Sequence, residues 1–475
     1  MKEASRFYSS LGLLIFLNAV VKPVWIFGID RQVQNEVGAA SYGAYFALFN
    51  FTFVLGFLLD WGLTYFYNRQ LAAKDPSAKD KVGSFIFVKL IFAGAYAIII
   101  FLVAWAVGIT NWELISYVAL IQILTSMFVF VRAIITSQQW FRTDALLSVL
   151  DKTLMILLCG VLLYLPSWLG RITIERFLLL QIACTGVALI LALSILLVRK
   201  FHLSFTPLWP GKDVFRAALP FAIIVLLMTF HSRIDGFLIE RIIGPEEAGK
   251  YAAAYRLLDA ANMFGILFSS FLLPYITRHL HEERNIERVV LNVRHCLCVF
   301  AIVIIAIFFF LGPWIQQVLY HHDDDKAVSV LRWCIPSLIG YALVHVYGTV
   351  MTASGHITSF AYITAIAVVL NLVLNFVLIP LEGALGSCIA ALVSQLFAGV
   401  ATTVFVTRKL KINLDLRSIV MYVLIGAAVA GFLYLSLGTQ LNRWLVIIGT
   451  GILVIILMWL TRLIEWRNWR ILTRG

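Results

Sequence analysis

The sequence predicts an all-α membrane protein. It calls for fourteen transmembrane helices, arranged as two pseudo-symmetric six-helix lobes around a central cavity, with two further helices at the C-terminal end. Three observations predict this. The 475 residues are 61% hydrophobic and only 13% charged, whereas a soluble protein carries about 25% charge. Apolar stretches of roughly 20 residues, each enough to cross the hydrocarbon layer, recur along the whole chain. A small set of glycines and a tyrosine also repeats at a fixed spacing.

The spans read, in order, 9–29, 43–66, 83–107, 113–136, 145–165, 176–198, 216–239, 249–275, 290–312, 329–352, 358–379, 385–407, 418–438 and 443–461. The first lacks a small-residue cleavage site and runs on into membrane-type sequence, so it is expected to be a helix of the bundle and not a cleaved signal. An even number of spans puts both termini on one side. Lys2, Arg6, Arg69, Lys74, Lys79, Lys81, Arg142, Arg199, Lys200, Lys212, Arg216, Arg278, Arg284, Arg288, Arg408, Lys409, Lys411, Arg417, Arg462, Arg467, Arg470 and Arg474 fall on that side, 22 in all. The opposite side holds 5: Arg31, Arg171, Arg241, Lys326 and Arg443. The excess places both ends in the cytoplasm. It also accounts for most of the formal charge of +12 without a nucleic-acid partner. Trp112, Trp168, Trp444 and Trp466 lie near span ends, where aromatic side chains anchor at the interface.

The longest expected inside loops, 67–82, 199–215 and 276–289, are too short to bury a core of their own, so no soluble domain is expected. Cys159, Cys184, Cys296, Cys298, Cys334 and Cys388 lie mostly in apolar segments without metal-ligand spacing and read as small buried residues. The run His321-His322-Asp323-Asp324-Asp325 suggests a metal site, but adjacent residues in one loop do not converge on one ion, and a solvated acidic loop is the plainer reading.

Gly38, Gly43 and Tyr45 recur as Gly244, Gly249 and Tyr251, each 206 residues later. Both sets sit where the first two helices of a half are joined. The expected divisions are a first lobe over 1–200 (helices 1–6), a second over 201–410 (helices 7–12), and helices 13 and 14 with a tail over 411–475. Six helices per half is an even number, so the halves enter the membrane in the same direction, as a parallel repeat.

The ionisable residues at membrane depth point to transport. The cations are Lys22, Lys89, Arg132, Lys152, Arg233 and Arg256; the acids are Asp60, Asp151, Asp235 and Asp259. Each charge at the centre of a membrane helix costs about 2.5–3.5 kcal/mol on insertion scales, so most of these must face water, pair with an opposite charge or snorkel. At 1.5 Å per residue, Lys22 lies roughly 20 Å and Arg233 roughly 25 Å from the inner face, while Arg256 lies about 10 Å from the outer one. These three are the candidate cavity cations; internal pairing of Arg233 with Asp235 or Glu240, and of Arg256 with Asp259, is the alternative. Lys89, Arg132 and Lys152 fall near the inner edge and read as snorkelling, with Lys152 close to Asp151 and Asp144. Asp60, Asp235 and Asp259 are candidate coupling sites for H⁺ or Na⁺, or counter-ions to cavity cations. His231 reads as a hydrogen-bonded interior histidine. Asn371, Asn375 and Gln395 are expected to bond between helices. Pro23, Pro220, Pro274 and Pro336 interrupt spans and permit bends. Helices 13 and 14 carry no mid-span charge; they would bound an apolar groove or pack on a lobe.

Two stretches carry a family likeness: GAASYGAYFALFNFTFVLGFLLDWGLTYFYNRQLA at 38–72, and GHITSFAYITAIAVVLNLVLNFVLIPLEGALGSCIAALVSQ at 355–395, with Asn371, Asn375, Pro380, Gly383 and Gly386. With the helix count, they resemble the multidrug/oligosaccharidyl-lipid/polysaccharide (MOP) superfamily and, within it, Wzx-type polysaccharide flippases. The resemblance implies a two-lobed alternating-access transporter of the bacterial inner membrane, acting in O-antigen and lipopolysaccharide biosynthesis. Its cargo would be an undecaprenyl-diphosphate-linked glycan, and its implied partners are membrane lipids and the polysaccharide polymerase and ligase machinery. It implies no cofactor beyond a coupling ion. Lys22, Arg233 and Arg256 would then grip the diphosphate, Arg by paired hydrogen bonds to its oxygens.

Two relatives are rival readings. Lipid II flippases of the MurJ type resemble the chain in having fourteen helices, but their first helix carries cavity arginines where this one has Lys22 and, at its outer edge, Arg31. A MATE-type drug or organic-cation antiporter would favour an acid-rich, cation-poor cavity, the reverse of this chain. A membrane glycosyltransferase needs a catalytic acid/base pair at an outer loop, and only 313–328 is acidic enough to consider; with no nucleotide-binding motif either, enzymatic activity is not expected.

Overall fold

The structure, a computed structural model, describes residues 2–72, 82–164, 171–199, 201, 209, 211–281, 286–321, 324–410, 412, 416–439, 441–461 and 463. Trp168, Trp466, His322, Asp323, Lys74, Lys79, Lys81, Lys200, Arg284, Lys411, Arg462, Arg467, Arg470 and Arg474 lie outside the described residues. Among the described residues every regular element is helical, and fourteen helices are long and apolar enough to cross a membrane. They are α1 (Gly12–Val37), α2 (Ala39–Leu59), α3 (Val82–Ala106), α4 (Trp112–Ser137), α5 (Phe141–Tyr164), α6 (Ile174–Val198), α7 (Ala222–Ile242), α8 (Pro245–Leu280), α9 (Glu287–Tyr320), α10 (Asp325–Ala353), α11 (Ile357–Glu382), α12 (Ala384–Leu410), α13 (Arg417–Leu437) and α14 (Arg443–Leu460). The chain is a multi-pass membrane protein. Large apolar side chains such as Leu102, Trp105, Leu435 and Trp459 are left exposed on it, as a lipid-facing surface requires.

Capping follows the sequence. Asn111 accepts the Leu114 N–H at 3.0 Å to open α4, and Asn442 accepts the Trp444 N–H at 2.9 Å to open α14. Three spans differ markedly from expectation, the first being 9–29, which runs on to Val37. The predicted span 43–66 is broken: α2 tightens into a 3₁₀ turn over Leu55–Leu59, Trp61 and Gly62 take positive φ, and a second helix runs over Leu63–Ala72. The Asp60 carboxylate accepts the Thr64 N–H at 3.3 Å and so caps that second helix. Hydropathy alone does not register such a break, because its flanks are both apolar. The predicted span 290–312 continues instead through Pro313 to Tyr320. The Tyr320 hydroxyl donates to the Ala253 carbonyl at 3.0 Å and Gln316 is buried, so tertiary contacts hold the turn beyond the proline.

By helix contacts the chain divides into two compact units, Met1–Gly249 and Lys250–Gly475. In the first, α1 packs on α5, α4 on α6, and α7 on α2, where Phe51 and Phe237 stack at 4.7 Å. An apolar core over Leu63, Tyr67, Phe85, Phe130, Ile134 and Leu196 ties the Leu63–Ala72 helix to α3, α4 and α6. In the second unit, α11 packs on α12, α10 on α12, and α13 on α9; α14 follows against α13 and also meets α9, where Trp314 and Trp444 stand edge to face at 5.0 Å.

Candidate substrate site

The first unit gathers charge in two places. In one, Lys89 of α3 is fully buried and donates to Asp60 at 2.6 Å and to the Thr64 hydroxyl at 3.2 Å, with its ammonium 5.3 Å from the Phe130 ring centre. Thr64 in turn bonds to Asp60. The expectation that Lys89 snorkels is therefore overturned: the helix break brings a carboxylate to it, so it has no need to reach water. Asp60, a candidate coupling site, stands as the counter-ion of this lysine.

In the other place, Lys22 of α1 is half-buried and lies close enough to Arg132, Asp151 and Lys152 to feel their charges. Arg132 of α4 bonds to Asp144 at 2.8 Å, and Lys152 pairs with Asp151 at 3.3 Å while standing 5.0 Å over the Trp25 ring. Arg132 and Lys152 are both partly buried, and each holds a carboxylate, the one held by Arg132 lying in the first turn of α5. Asn18 and Ser148 join α1 to α5 beside it at 2.9 Å. A local change of helical phase helps to build the cluster. After Pro23, α1 widens into a π-helical segment over Val24–Asp30, the kind of irregularity that recurs at functional sites. Trp25 in this segment stacks on Phe177 of α6, and Asp30 is buried and accepts from the Tyr42 hydroxyl at 2.8 Å. Three cations against two acids leave the cluster net positive.

On α7, His231 and Asp235 are buried four residues apart, on one helical face, while Gly236 and Phe237 meet Phe46, Asn50 and Phe51 of α2. Arg233 is partly buried, its guanidinium 5.6 Å from the Phe53 ring centre. Lys22, Asp60, Arg233 and Asp235 thus all belong to the first unit. Arg256 and Asp259, both partly buried on α8, belong to the second.

The repeated glycines meet. A Cβ at Gly43 would lie 1.9 Å from the Pro245 carbonyl oxygen, and one at Gly249 would lie 2.1 Å from the Ala39 carbonyl oxygen. Adding 206 to 39 and 43 gives 245 and 249, so each contact is the image of the other. Such reciprocity is what a local two-fold relation produces, and it gives both glycines the same reason: bare backbone where two helix starts touch. Gln34 seals this contact by donating to the Gly249 carbonyl at 2.9 Å.

The second unit carries a neutral network between α11 and α12 and a buried arginine on hydroxyl partners. Asn375 donates to the Asn371 side chain at 3.0 Å and accepts from Ser387 at 2.7 Å, joining α11 to α12. Arg294 of α9, missed in the sequence although it lies within a predicted span, is buried and donates to Tyr347 at 3.2 Å and to Ser418 at 2.7 Å. Its neighbour His295 bonds to Tyr422 at 2.6 Å, so the two side chains fasten α13 to α9. Among the described residues no group of three His, Cys, Asp or Glu is placed to hold a metal ion.

Comparison with known proteins then sets the class. The chain is similar in structure to "Lipid II flippase MurJ, inward closed conformation" (TM-score 0.73, 14% identity, covering 96% of this chain and 99% of that one). It is also similar to an inward-facing multidrug resistance MATE family transporter of the MOP superfamily (TM-score 0.63, 14% identity, 84% and 94% covered). A third neighbour is a MOP superfamily transporter from Pyrococcus furiosus (TM-score 0.60, 13% identity, 86% and 96% covered). No curated protein sequence matches the chain. Residues 220–377 match the MatE family, and residues 10–280 match the family described as "Polysaccharide biosynthesis protein". The fold is that of a MOP-superfamily membrane transporter. Within that class, the chain belongs to the polysaccharide biosynthesis protein family, whose match covers more than half of it.

Proposed function

We propose that the protein flips a polyprenyl-diphosphate-linked oligosaccharide from the cytoplasmic to the outer leaflet of the bacterial inner membrane, by alternating access. The observation that carries this reading is the net-positive cluster of Lys22, Arg132 and Lys152 in the first unit. A diphosphate carries more than one negative charge, and moving it through the low-dielectric layer is costly unless fixed cations accompany it. Arg132 and Lys152 already hold carboxylates, so they would exchange those partners for phosphate oxygens; Lys22 supplies the excess charge. Arg233 and Arg256 are proposed as the further headgroup contacts, and Asp235 and Asp259 as the sites for a coupling H⁺ or Na⁺. The family match supports the glycan part of the cargo.

Deleting the gene tests the reading. A lipid-linked oligosaccharide should accumulate on the cytoplasmic side. Accumulated lipid II in its place would assign the cargo of the MurJ neighbour, and drug sensitivity without any glycolipid would move the reading to the antiporter suggested by the MatE match.

A further inference from the structure

We propose that the imidazole of His345 is a proton-binding site, and that a proton taken up there reverses one hydrogen bond at the contact between α8 and α10. The ring lines a small cavity within the second unit, with Asn262 and Gly265 of α8, Leu297 and Phe300 of α9, and Leu338 of α10. Its seat is specific. A Cβ at Gly265 would lie 2.4 Å from His345 Cδ2, so the ring rests on bare helix backbone. His345 Nε2 is 2.9 Å from Asn262 Oδ1, an atom that only accepts, which makes Nε2 the protonated nitrogen of the neutral ring.

The other nitrogen has a two-way partner. Ser269 Oγ is 3.2 Å from Nδ1 and also 3.0 Å from the His345 carbonyl oxygen. One hydroxyl proton cannot serve both. In the neutral ring the hydroxyl donates to Nδ1. When a proton from water binds Nδ1, that N–H donates to Ser269 Oγ and the hydroxyl turns to the carbonyl. Both states are therefore fully bonded, and no covalent bond other than N–H forms. The carbonyl lies in a π segment of α10 over Val344–Gly348 and also accepts from Thr349 Oγ1 at 2.6 Å.

In the closed contact both hydrogen-bond partners of the ring, Asn262 and Ser269, are neutral. Along the row of Asn262, α8 carries Asp259 and Arg256 three and six residues earlier. Helix α9 carries Arg294, His295 and Cys298 beside Leu297; α10 itself carries Tyr341 and Tyr347; α12 carries Cys388 and no charge before Arg408. An imidazolium without a counter-ion needs water, so protonation favours the state in which the cavity is wetted and α8 stands off α10. A proton thus biases one helix contact of the second unit. The inference rests on the transport reading for its purpose, though not for its chemistry.

Hydrogen exchange of the full-length protein in lipid nanodiscs tests it, with rates corrected for the intrinsic effect of pH. Between about pH 8 and about pH 5, segments 257–273 and 341–353 should lose protection by roughly threefold or more. His345→Gln should abolish that response, while His231→Gln, in the first unit, should retain it. If His345→Gln does not fold, Ser269→Ala, which keeps the ring and removes the hydroxyl, should move the midpoint of the response. A flat wild-type profile, an unchanged response in His345→Gln, or an unmoved midpoint in Ser269→Ala would each overturn the inference. These readouts do not depend on cargo, so they fail separately from the deletion experiment.

Discussion

The two units handle buried polarity differently. The first uses full charges in pairs: Lys89 with Asp60, Arg132 with Asp144, and Lys152 with Asp151. The second joins α11 to α12 through neutral groups at Asn371, Asn375, Ser387 and Ser394, and sets its buried Arg294 on hydroxyl partners of α10 and α13. Its Lys250–Asp324 bridge, at 3.0 Å, involves an acid that lies between spans. A neutral amide network holds helices together at modest cost, because each group keeps a partner in the membrane. Ion pairs cost more to bury and are a weak way to gain stability. In the first unit the Arg132 and Lys152 pairs stand beside Lys22, an arrangement that the proposed transport role would use.

The largest effects should fall on export. Lys22→Ala and Arg233→Ala are expected to abolish glycan export at unchanged protein level, read by surface glycan and immunoblot. Wild-type export in both would remove these residues from the site and leave the first unit's charges structural. Next is the buried pair. Lys89→Ala leaves Asp60 without its ammonium and should cost about 3–5 kcal/mol, seen as a lower thermal midpoint in detergent. An unchanged midpoint would mean that water already reaches Asp60. A smaller loss is expected in the neutral network: Asn375→Ala strands Ser387 and Asn371 and should cost about 1–3 kcal/mol with little pH dependence. A loss as large as that of Lys89→Ala would erase the distinction between the units.

The smallest effect concerns Asp324. Burial works against its ionisation, but hydrogen bonds from Lys250 and from the Lys326 backbone N–H, with the charges of both lysines, outweigh it and hold the carboxyl below its ordinary value. A depressed carboxyl contributes stability that is present above its unfolded value of about 3.9 and is lost as pH falls through the lower folded value. The side chains are partly exposed, so screening limits the contribution to about 0.2–1 kcal/mol. Asp324→Asn should therefore lower the thermal midpoint slightly near neutral pH and make no difference at strongly acid pH. A difference that grew on acidification would reverse the sign.

The fourteen spans were legible because hydropathy sums over twenty residues and tolerates single errors. The break at Asp60-Trp61-Gly62 was not, since three residues between apolar flanks leave that sum unchanged. Asp151 and Lys152 were legible as partners because they are adjacent. Lys89 and Asp60 were not: their meeting depends on which faces of α2 and α3 are turned together, and a helical pattern that is apolar all round does not encode that. The repeat of Gly43 as Gly249 was visible as spacing, but that each removes a Cβ from the other's helix start required coordinates. Arg294 stood in a predicted span and was legible by the same search that found Arg233; its bonds to α13 were not.

The central claim is that the surplus cation of the first unit meets a diphosphate. Native mass spectrometry of the purified protein with a polyprenyl-diphosphate oligosaccharide, in wild type and in Lys22→Gln, tests it most directly. The account predicts a bound diphosphate lipid in wild type and roughly tenfold weaker binding in Lys22→Gln, about 1.4 kcal/mol, with the monophosphate lipid bound less tightly than the diphosphate. Equal binding of the diphosphate lipid by the two proteins, or preference for an organic cation, would contradict it.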